Sequence, residues 1–338
     1  MSEQSGAPRG GIDLGGTKIQ AAVVDAKGKV SGESRHPTPT SGGPADVARE
    51  MAAAMHEAAE AAGVRTEDLA GVGVGSPGDA DEKTGVVSGA KNLPGWEGSF
   101  PLAETLQGDL GTGVRVGNDV QVATEAEFHL GAGREFSSLI GVFWGTGVGG
   151  GLILDGKPWL GRGAAGEIGH MVVKRGGAKC PCGRKGCMEA YAGRSAMERH
   201  AAELVEKGRK TDLFKLMKER ERSRVTSGIW ARALEHGDKL AVHMVDRAIR
   251  ALGAGIASVV NVLDVEGVIV GGGMGVRLGH PYVKRISDAM QPHLFADSRP
   301  PHVHVAALGD LGGAIGASLL LSREDPPRGA RRRTRAKK

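Results

Sequence analysis

The fold is decided by the stretch GGIDLGGTKIQAAVV at residues 10–24. Apolar and β-branched residues lead into a glycine-rich turn and resume directly after it, which predicts a strand, a tight turn and a second strand. Residues 29–35 predict a third strand. A phosphate loop of the Walker or Rossmann kind opens a helix instead, so this pattern argues against both of those loops.

A second hairpin of the same design has the sequence SLIGVFWGTGVGGGLIL at residues 138–154. A single glycine-rich hairpin is most simply a tight structural turn. Two hairpins of one design predict instead an internally duplicated α/β protein with two similar lobes. Each lobe would direct a glycine turn into a shared cleft, where backbone amides can approach phosphate groups closely.

The composition excludes several classes of protein. A chain of 338 residues exceeds most single cores, so two lobes or domains are expected. The 56 glycines and an aromatic content of 4% do not suit an aromatic-lined platform for nucleic acid. No apolar run is long enough to cross a bilayer, and the polar first residues do not resemble a signal peptide. A soluble, cytoplasmic protein is therefore expected.

The C-terminal end of the chain is strongly basic, since residues 326–338 carry seven basic groups and no acid. Removing those seven charges from the net charge of +5 leaves −2 for the rest of the chain, so the folded body is nearly neutral. Two prolines followed by like charges favour a disordered terminus. Contact of this tail with nucleic acid or another polyanion is the alternative.

One histidine and all three cysteines lie within a short segment, which predicts a metal site formed by His170, Cys180, Cys182 and Cys187. Imidazole and thiolate are good zinc ligands, and four of them complete the shell of a structural zinc with no position left for a catalytic water. Such a zinc would position Glu167, His170 and Glu189 to bind a hydroxyl-rich ligand. The alternative is a chance grouping of reduced cysteines, or one disulfide with a free thiol; the odd cysteine count argues against a disulfide framework.

Residues 114–130 predict a short strand that runs into a helix at Asn118 and Asp119. The simplest interpretation of this pair is a helix N-cap. A carboxylate at the C-terminal end of a strand is also where open α/β folds bind their ligands. Asp119 could there accept the proton of a sugar hydroxyl that attacks phosphorus.

The second half of the chain predicts mainly helices. Residues 190–235 are charged and helical, with Arg220–Arg224 as a solvated face. A long helix is expected at 238–263, and it leads into a buried strand and a third glycine run, GGGMG, at 271–275. This run predicts either a glycine loop that lies against adenine or ribose or a simple tight turn.

The motifs in their order resemble the ROK group of sugar kinases and related repressors. This group lies within the actin, hexokinase and Hsp70 superfamily, whose duplicated, RNase H-like ATPase fold places two lobes around a cleft. The resemblance covers roughly residues 10–322. It rests on the motifs DLGGTK at 13–18, SPG at 76–78, ND at 118–119, GTGVGGG at 145–151, GEIGH at 166–170 and CPCGRKGCME at 180–189.

The resemblance implies a domain organisation. It comprises a flexible N-terminus at 1–9, a small α/β lobe at 10–118, a large α/β lobe at 119–311 and a disordered basic tail at 323–338. The large lobe would carry the zinc loop at 166–189. A C-terminal helix at 312–322 would cross back and complete the small lobe.

The resemblance also implies roles for individual residues. Asp119 would be the catalytic base that takes the proton from the 6-hydroxyl of the sugar, and Asp13 would hold Mg²⁺, usually through water. His170 would serve zinc and sugar together, as one of the four zinc ligands. The implied sugar ligands are Gly78, Asn92, Asn118, Asp119, Glu167, His170 and Glu189. The implied contacts to the nucleotide are Gly16, Thr17, Lys18, Thr146 and Gly147 at the phosphates and Gly272 and Gly273 beside the nucleoside.

The expected activity is transfer of the γ-phosphate of MgATP to a hexose in a protein that carries structural zinc. The sequence around 92–96 most resembles glucokinase members, so glucose is the first choice. Another hexose, an N-acetylhexosamine, or polyphosphate as the donor remain alternatives. A sugar-sensing repressor is disfavoured, because only about ten residues precede the first hairpin and no DNA-binding domain fits there. The resemblance further implies a homodimer or homotetramer, with neither a membrane nor DNA as partner.

Overall fold

The computed structural model describes residues 6–90 and 92–323. The predicted flexibility of residues 1–5 and the predicted basic tail at 326–338 lie outside the described residues. The described strands are β1 (Arg9–Leu14), β2 (Lys18–Val24), β3 (Val30–Pro37), β4 (Val72–Ser76), β5 (Asp79–Asp81), β6 (Val86–Ser88), β7 (Ser99–Phe100), β8 (Val114–Asn118), β9 (Leu139–Trp144), β10 (Val148–Leu154), β11 (Lys157–Pro158), β12 (Gly267–Gly271) and β13 (His302–Val305).

The helices lie between and after these strands. They are α1 (Pro44–Ala61), α2 (Leu102–Leu110), α3 (Asp119–Leu130), α4 (Glu189–Ala192), α5 (Arg194–Glu206), α6 (Leu213–Glu219), α7 (Ser227–Glu235), α8 (Lys239–Leu263), α9 (Gly272–Met290) and α10 (Gly312–Leu319). None of the helices in the described part of the chain combines the length and apolarity that crossing a membrane requires.

Two five-stranded sheets share one topology, which confirms the predicted internal duplication. The first sheet has the order β3-β2-β1-β4-β8 and the second has the order β11-β10-β9-β12-β13. In each sheet a meander of three antiparallel strands is followed by two parallel strands on the other side of the first strand. A small antiparallel sheet, β5-β6-β7, completes the described sheets.

Each large sheet is covered by helices on both faces. In β2, Ala21 and Val23 belong to the core shared with α1, whereas Ala22 and Val24 pack with residues of α3 and α10. This alternation follows from the two-residue period of a strand. The second sheet packs against α9 and against α3. Helix α3 therefore lies between the two sheets, with α10 beside it.

Glycines allow α3 to approach its neighbours at backbone distance. A Cβ atom at Gly316 of α10 would lie 2.0 Å from the backbone oxygen of Val122, and one at Gly151 of β10 would lie 2.2 Å from Oγ1 of Thr124. A Cβ atom at Gly141 of β9 would also lie 2.2 Å from this hydroxyl. Contacts this short leave no room for a side chain, so glycine is required on both sides of the helix.

Most predicted elements are confirmed, and the differences have local causes. The third glycine run does not form a loop: Gly271 ends β12, Gly272 has a φ of +76°, and α9 begins at that residue. The apolar segment that starts at Leu69 becomes a strand only from Val72, because a short 3-10 turn and Gly71 with a φ of +147° come before it. The helical region 190–235 is not only surface, since Trp230 is fully buried.

Replacement of Gly316 by alanine should lower the stability of the protein by at least about 2 kcal/mol, because the new methyl group would meet a backbone carbonyl that cannot rotate away. The matched control is Gly108→Ala in α2, where a Cβ atom would meet nothing within 4 Å. That change should be neutral or stabilising by up to about 1 kcal/mol. Thermal unfolding of both variants checks the prediction, and equal melting temperatures would contradict the packing of α3.

Candidate active site and metal centre

The junction between β8 and α3 places Asn118 and Asp119 at the first turn of the helix. Oδ1 of Asn118 accepts hydrogen bonds from the backbone N–H groups of Val120 and Gln121, both at 3.1 Å, so Asn118 is the N-cap. The amide NH₂ of Asn118 can still donate to a ligand. Oδ1 of Asp119 accepts from the N–H of Val120 at 2.9 Å. The interpretation as a cap therefore holds for Asn118, while Asp119 presents a carboxylate next to the cap.

The environment of Asp119 favours a protonated carboxyl group. Burial raises the pKa of Asp119 to about 7, with further contributions from the negative charges of Asp13 and Glu167. The glycine at position 75 of β4 lets the first turns of α3 approach, because a Cβ atom there would lie 2.8 Å from Cγ2 of Val122. A carboxyl group with a pKa near neutrality is well matched to proton transfer at physiological pH.

Asp13 is the second buried carboxyl group of the site. It lies at the end of β1, and burial raises its pKa to about 6 against the opposing effect of the positive charge of Lys18. Gly313 of α10 lies directly over it, since a Cβ atom at Gly313 would come within 2.5 Å of Cγ of Asp13. The nearby negative charge of Asp310 raises the pKa of Asp13 further. A divalent cation would be attracted to such a group, as predicted for magnesium.

The first glycine turn joins β1 to β2. The N–H of Gly15 donates to the carbonyl of Lys18 at 2.9 Å, and the hydroxyl of Thr38 donates to the carbonyl of Gly15 at 2.6 Å. Gly16 and Thr17 are exposed at its tip. Nζ of Lys18 donates to Oε1 of Gln20 at 2.7 Å. This turn thus presents backbone amides and one ammonium group.

Residues from two other segments reach the first turn. Asp310 forms an ion pair with Lys18 at 3.4 Å, and its carboxylate is well exposed. Asn92 packs against Gly16, at whose position a Cβ atom would lie 3.0 Å from Nδ2 of Asn92. Gly78 has a φ of +86° and faces the backbone of Ser88. The predicted sugar ligands Gly78 and Asn92 therefore belong to the lobe of the first sheet.

The second glycine turn joins β9 to β10 and contacts Glu189. Oε2 of Glu189 accepts from the N–H of Val148 at 2.9 Å, and a Cβ atom at Gly147 would lie only 2.2 Å from the same oxygen. Glu189 was predicted to bind a sugar, and the structure adds a bond between its carboxylate and the turn. Thr146 is exposed at the tip of this turn.

The third glycine run lies next to the second turn. A Cβ atom at Gly272 would lie 2.7 Å from the carbonyl oxygen of Trp144, and one at Gly145 would lie 4.0 Å from the backbone nitrogen of Gly273. The ends of β9 and β12 meet because these strands are parallel neighbours. The structure thus brings together the predicted contacts to the phosphates, Thr146 and Gly147, and the predicted contacts to the nucleoside, Gly272 and Gly273.

The predicted metal ligands converge on one point. One ligand atom from each of His170, Cys180, Cys182 and Cys187 lies within 4.8 Å of the others. The sulfur atoms of Cys182 and Cys187 are 3.8 Å apart, and Nδ1 of His170 is 3.7 Å from the sulfur of Cys180. A tetrahedral zinc with Zn–S bonds of about 2.3 Å requires sulfur atoms about 3.8 Å apart. The geometry fits zinc.

Polar groups lie beside the predicted metal ligands. Nδ1 of His170 faces the cysteines, while its Nε2 lies 3.8 Å from Oε2 of Glu167. Oε1 of Glu189 lies 3.8 Å from the sulfur of Cys180. The same loop therefore positions Glu167, His170 and Glu189, and the charge of Glu167 reaches Asp119.

Sequence reasoning missed two polar groups of this site. Asp310, which pairs with Lys18, lies in a short 3-10 turn before α10. Arg194 begins α5, and its Nη2 donates to the hydroxyl of Thr146 at 2.9 Å. The predicted region of charged surface helices contains Arg194, and no local pattern distinguishes it there. The contact to Thr146 spans 48 positions of the chain and exists only in the folded protein.

Replacement of Asp119 by asparagine should raise the melting temperature of the magnesium-free protein more at pH 8 than at pH 5. The pKa of Asp119 is about 7 in the folded protein and about 4 in the unfolded chain, so its contribution to stability is lost as the pH rises through that window. Asparagine does not ionise and avoids the loss. The exposed Asp109→Asn in α2 is the control, and an equal shift at both pH values would contradict the raised pKa.

The chain is similar to known sugar kinases. The chain is 31% identical over 315 residues to a glucokinase of Thermotoga maritima, covering 92% of this chain and 96% of the relative. It is also 31% identical over 313 residues to an N-acetylmannosamine kinase of Salmonella typhi, with coverages of 91% and 96%.

The crystal structure of a ROK family glucokinase from Streptomyces griseus, in complex with glucose and AMPPNP, matches with a TM-score of 0.80. The sequence identity is 32%, and the match covers 93% of this chain and 98% of that structure. The two sheets and α3 thus form the duplicated fold of the actin-like ATPases. The model of the ROK family matches residues 9–324. The chain belongs to the ROK family.

Proposed function

We propose that the protein is an ATP-dependent hexose kinase that phosphorylates the 6-hydroxyl group, with glucose as the preferred substrate. The observation that carries this conclusion is the position of Asp119, a half-buried carboxyl group whose desolvation raises its pKa to about 7, at the start of the helix between the two sheets. The similar glucokinases, one of them bound to glucose and AMPPNP, support the choice of sugar and donor.

Asp119 acts as the general base of the reaction. It accepts the proton of the 6-hydroxyl while the oxygen of that group attacks the γ-phosphate of ATP, and the bond between the γ-phosphorus and the bridging oxygen of ADP breaks. Burial raises the pKa of this carboxyl group to about 7, and the nearby negative charges of Asp13 and Glu167 contribute to the rise. Phosphoryl transfer depends mainly on alignment and on neutralised charge, so one such base is sufficient.

The sugar is bound by groups on both sides of Asp119. The amide of Asn118 and the carboxylate of Glu167 supply a donor and an acceptor for sugar hydroxyls. Nε2 of His170 remains free for the sugar when Nδ1 faces the metal. Gly78, Asn92 and Glu189 complete the proposed sugar contacts.

The donor is bound by the glycine turns. Gly16, Thr17 and Lys18 of the first turn and Thr146 and Gly147 of the second contact the phosphates, while Gly272 and Gly273 contact the nucleoside. Asp13 would hold magnesium, whose charge would neutralise the phosphate chain. The zinc ligands would be His170, Cys180, Cys182 and Cys187, and the ion would keep the loop in shape without taking part in the chemistry. We further propose that the active form is a homo-oligomer.

Replacement of Asp119 by alanine should lower kcat at least about a hundredfold, since general bases contribute at least that factor. A coupled assay of ADP release with MgATP and glucose measures the loss, while zinc content and melting behaviour show that the variant is folded. The control is Asp109→Ala on the exposed face of α2. Undiminished turnover in a folded Asp119→Ala protein would refute the assignment of the base.

The same assay tests the choice of substrate. Glucose should give a higher kcat/KM than mannose, fructose, N-acetylglucosamine or N-acetylmannosamine with MgATP as donor. Polyphosphate in place of ATP tests the alternative donor. A higher kcat/KM for an N-acetylhexosamine would contradict glucose as the preferred substrate but would leave the assignment of Asp119 as the base intact.

Cys182→Ser should remove the metal, because one of four zinc ligands is replaced by a group that binds zinc poorly. Elemental analysis should find one zinc per chain in the unchanged protein and at most a tenth of that in the variant. Chelation of zinc from the protein without substitutions should weaken sugar binding, because Glu167 and His170 would no longer be held in position. A variant that retains full zinc would contradict the ligand set.

A further inference from the structure

Arg194 lies at the tip of the second glycine turn. Its backbone N–H donates to the carbonyl of Gly145 at 3.1 Å, and the N–H of Ser195 donates to the carbonyl of Thr146 at 3.1 Å. The guanidinium of Arg194 donates in addition to the hydroxyl of Thr146 at 2.9 Å. Three hydrogen bonds therefore hold this arginine and the turn together, and the guanidinium lies where the hydroxyl of Thr146 emerges.

A second arginine adds positive charge to the same place. Nη2 of Arg224 donates to the hydroxyl of Ser195 at 2.6 Å. The charge of Arg224 lowers the pKa of Arg194, in addition to the larger effect of burial. Arg224 is exposed, as predicted for a solvated face, and its guanidinium also reaches back to the start of α5.

In the described part of the chain, Arg194 has no anionic partner at ion-pair distance. Glu198 acts on it only from beyond ion-pair distance and forms its own ion pair with Arg224 at 3.8 Å. Among residues 6–90 and 92–323, no carboxylate lies within 4.0 Å of the guanidinium of Arg194. Two neighbouring guanidinium groups, one of them partly buried, repel each other, and an anion between them would remove that cost.

The surrounding groups define the kind of anion. Gly273 leaves room beside the turn, since a Cβ atom at this position would lie 3.6 Å from its nearest neighbour, the hydroxyl of Ser227 of α7. A planar guanidinium with several N–H donors binds two oxygens of one phosphate, or of two adjacent phosphates. The phosphoanhydride chain of a donor has this chemistry.

We propose that Arg194 binds the non-transferred phosphates of the donor at the second glycine turn, with Arg224 supporting it by its charge and its bond to Ser195. This inference rests on the proposed function, which places the donor at this turn. The phosphates that remain on ADP gain negative charge as the bond to the γ-phosphorus breaks. Arg194 would neutralise that charge on the leaving group, whereas Asp119 would act on the attacking hydroxyl.

Binding of ligands that differ only in their phosphates tests the proposal. Calorimetry with ADP, AMP and inorganic tripolyphosphate is carried out on the unchanged protein, Arg194→Gln, Arg194→Lys and Arg224→Gln. Arg194→Gln should lower the affinity for ADP at least about tenfold, because charge-assisted hydrogen bonds to the outer phosphate are lost. The affinity for AMP should change by less than about twofold. Arg194→Lys should retain part of the affinity, and Arg224→Gln should cost about threefold.

Arg199→Gln is the matched control, since Arg199 is an exposed arginine of the same helix and the charge change is identical. Equal ADP affinity in Arg194→Gln and Arg199→Gln would overturn the proposal, and so would an equal loss for AMP and ADP. A loss for tripolyphosphate as large as that for ADP supports recognition of the phosphate chain itself. An unchanged protein that binds neither ADP nor tripolyphosphate would instead refute the proposed function together with this inference.

Discussion

The close approach of α3 to the two sheets is the constraint on which the rest of the structure depends. Glycines of β9, β10 and α10 face this helix at distances that exclude even a methyl group. The same holds between α10 and the first sheet, where a Cβ atom at Gly73 would lie 1.8 Å from the carbonyl of Ala317. Backbone-to-backbone packing of this kind aligns the two sheets through the helices between them. It also accounts for a large share of the glycines outside turns.

The position of α3 determines the chemistry at its first turn. Asn118 caps the helix, and the carboxylate of Asp119 beside it also accepts from the N–H of Val120 and lies in a poorly solvated place. At the other end of the helix, the buried carboxylate of Glu127 accepts from the N–H groups of Ala307 and Leu308, both at 2.9 Å. The helix α3 therefore carries the proposed base in its first turn, and its last turn binds the segment before α10 through Glu127.

The zinc loop and the second glycine turn are mechanically connected. Glu189 contacts the backbone of the turn through one oxygen and approaches Cys180 with the other. A change at the proposed metal centre would thus reach the proposed phosphate side of the site through a single carboxylate. Arg194 follows a few positions later and holds the tip of the same turn. Sugar side and donor side meet in the segment between Cys180 and Arg194.

The local features of the site were predictable from the sequence because the interactions that form them span few residues. Both glycine hairpins, the cap at Asn118 and the grouping of His170 with three cysteines are of this kind. The third glycine run was only partly predictable: its nearness to the second turn depends on the parallel pairing of β9 with β12. Its helical continuation was missed, because glycines favour neither a loop nor a helix start without their neighbours.

The sequence by itself determined the duplicated α/β pattern, the metal ligands and the identity of the proposed base. Only the tertiary structure decided how basic Asp119 is, since its pKa depends on burial and on charges contributed by Asp13 and Glu167 from other segments. It also decided that Arg194 lies at the second glycine turn, 48 positions away from its partner Thr146. The physical reason is that desolvation and long-range pairing arise from packing of distant segments, which no local pattern of residue types encodes.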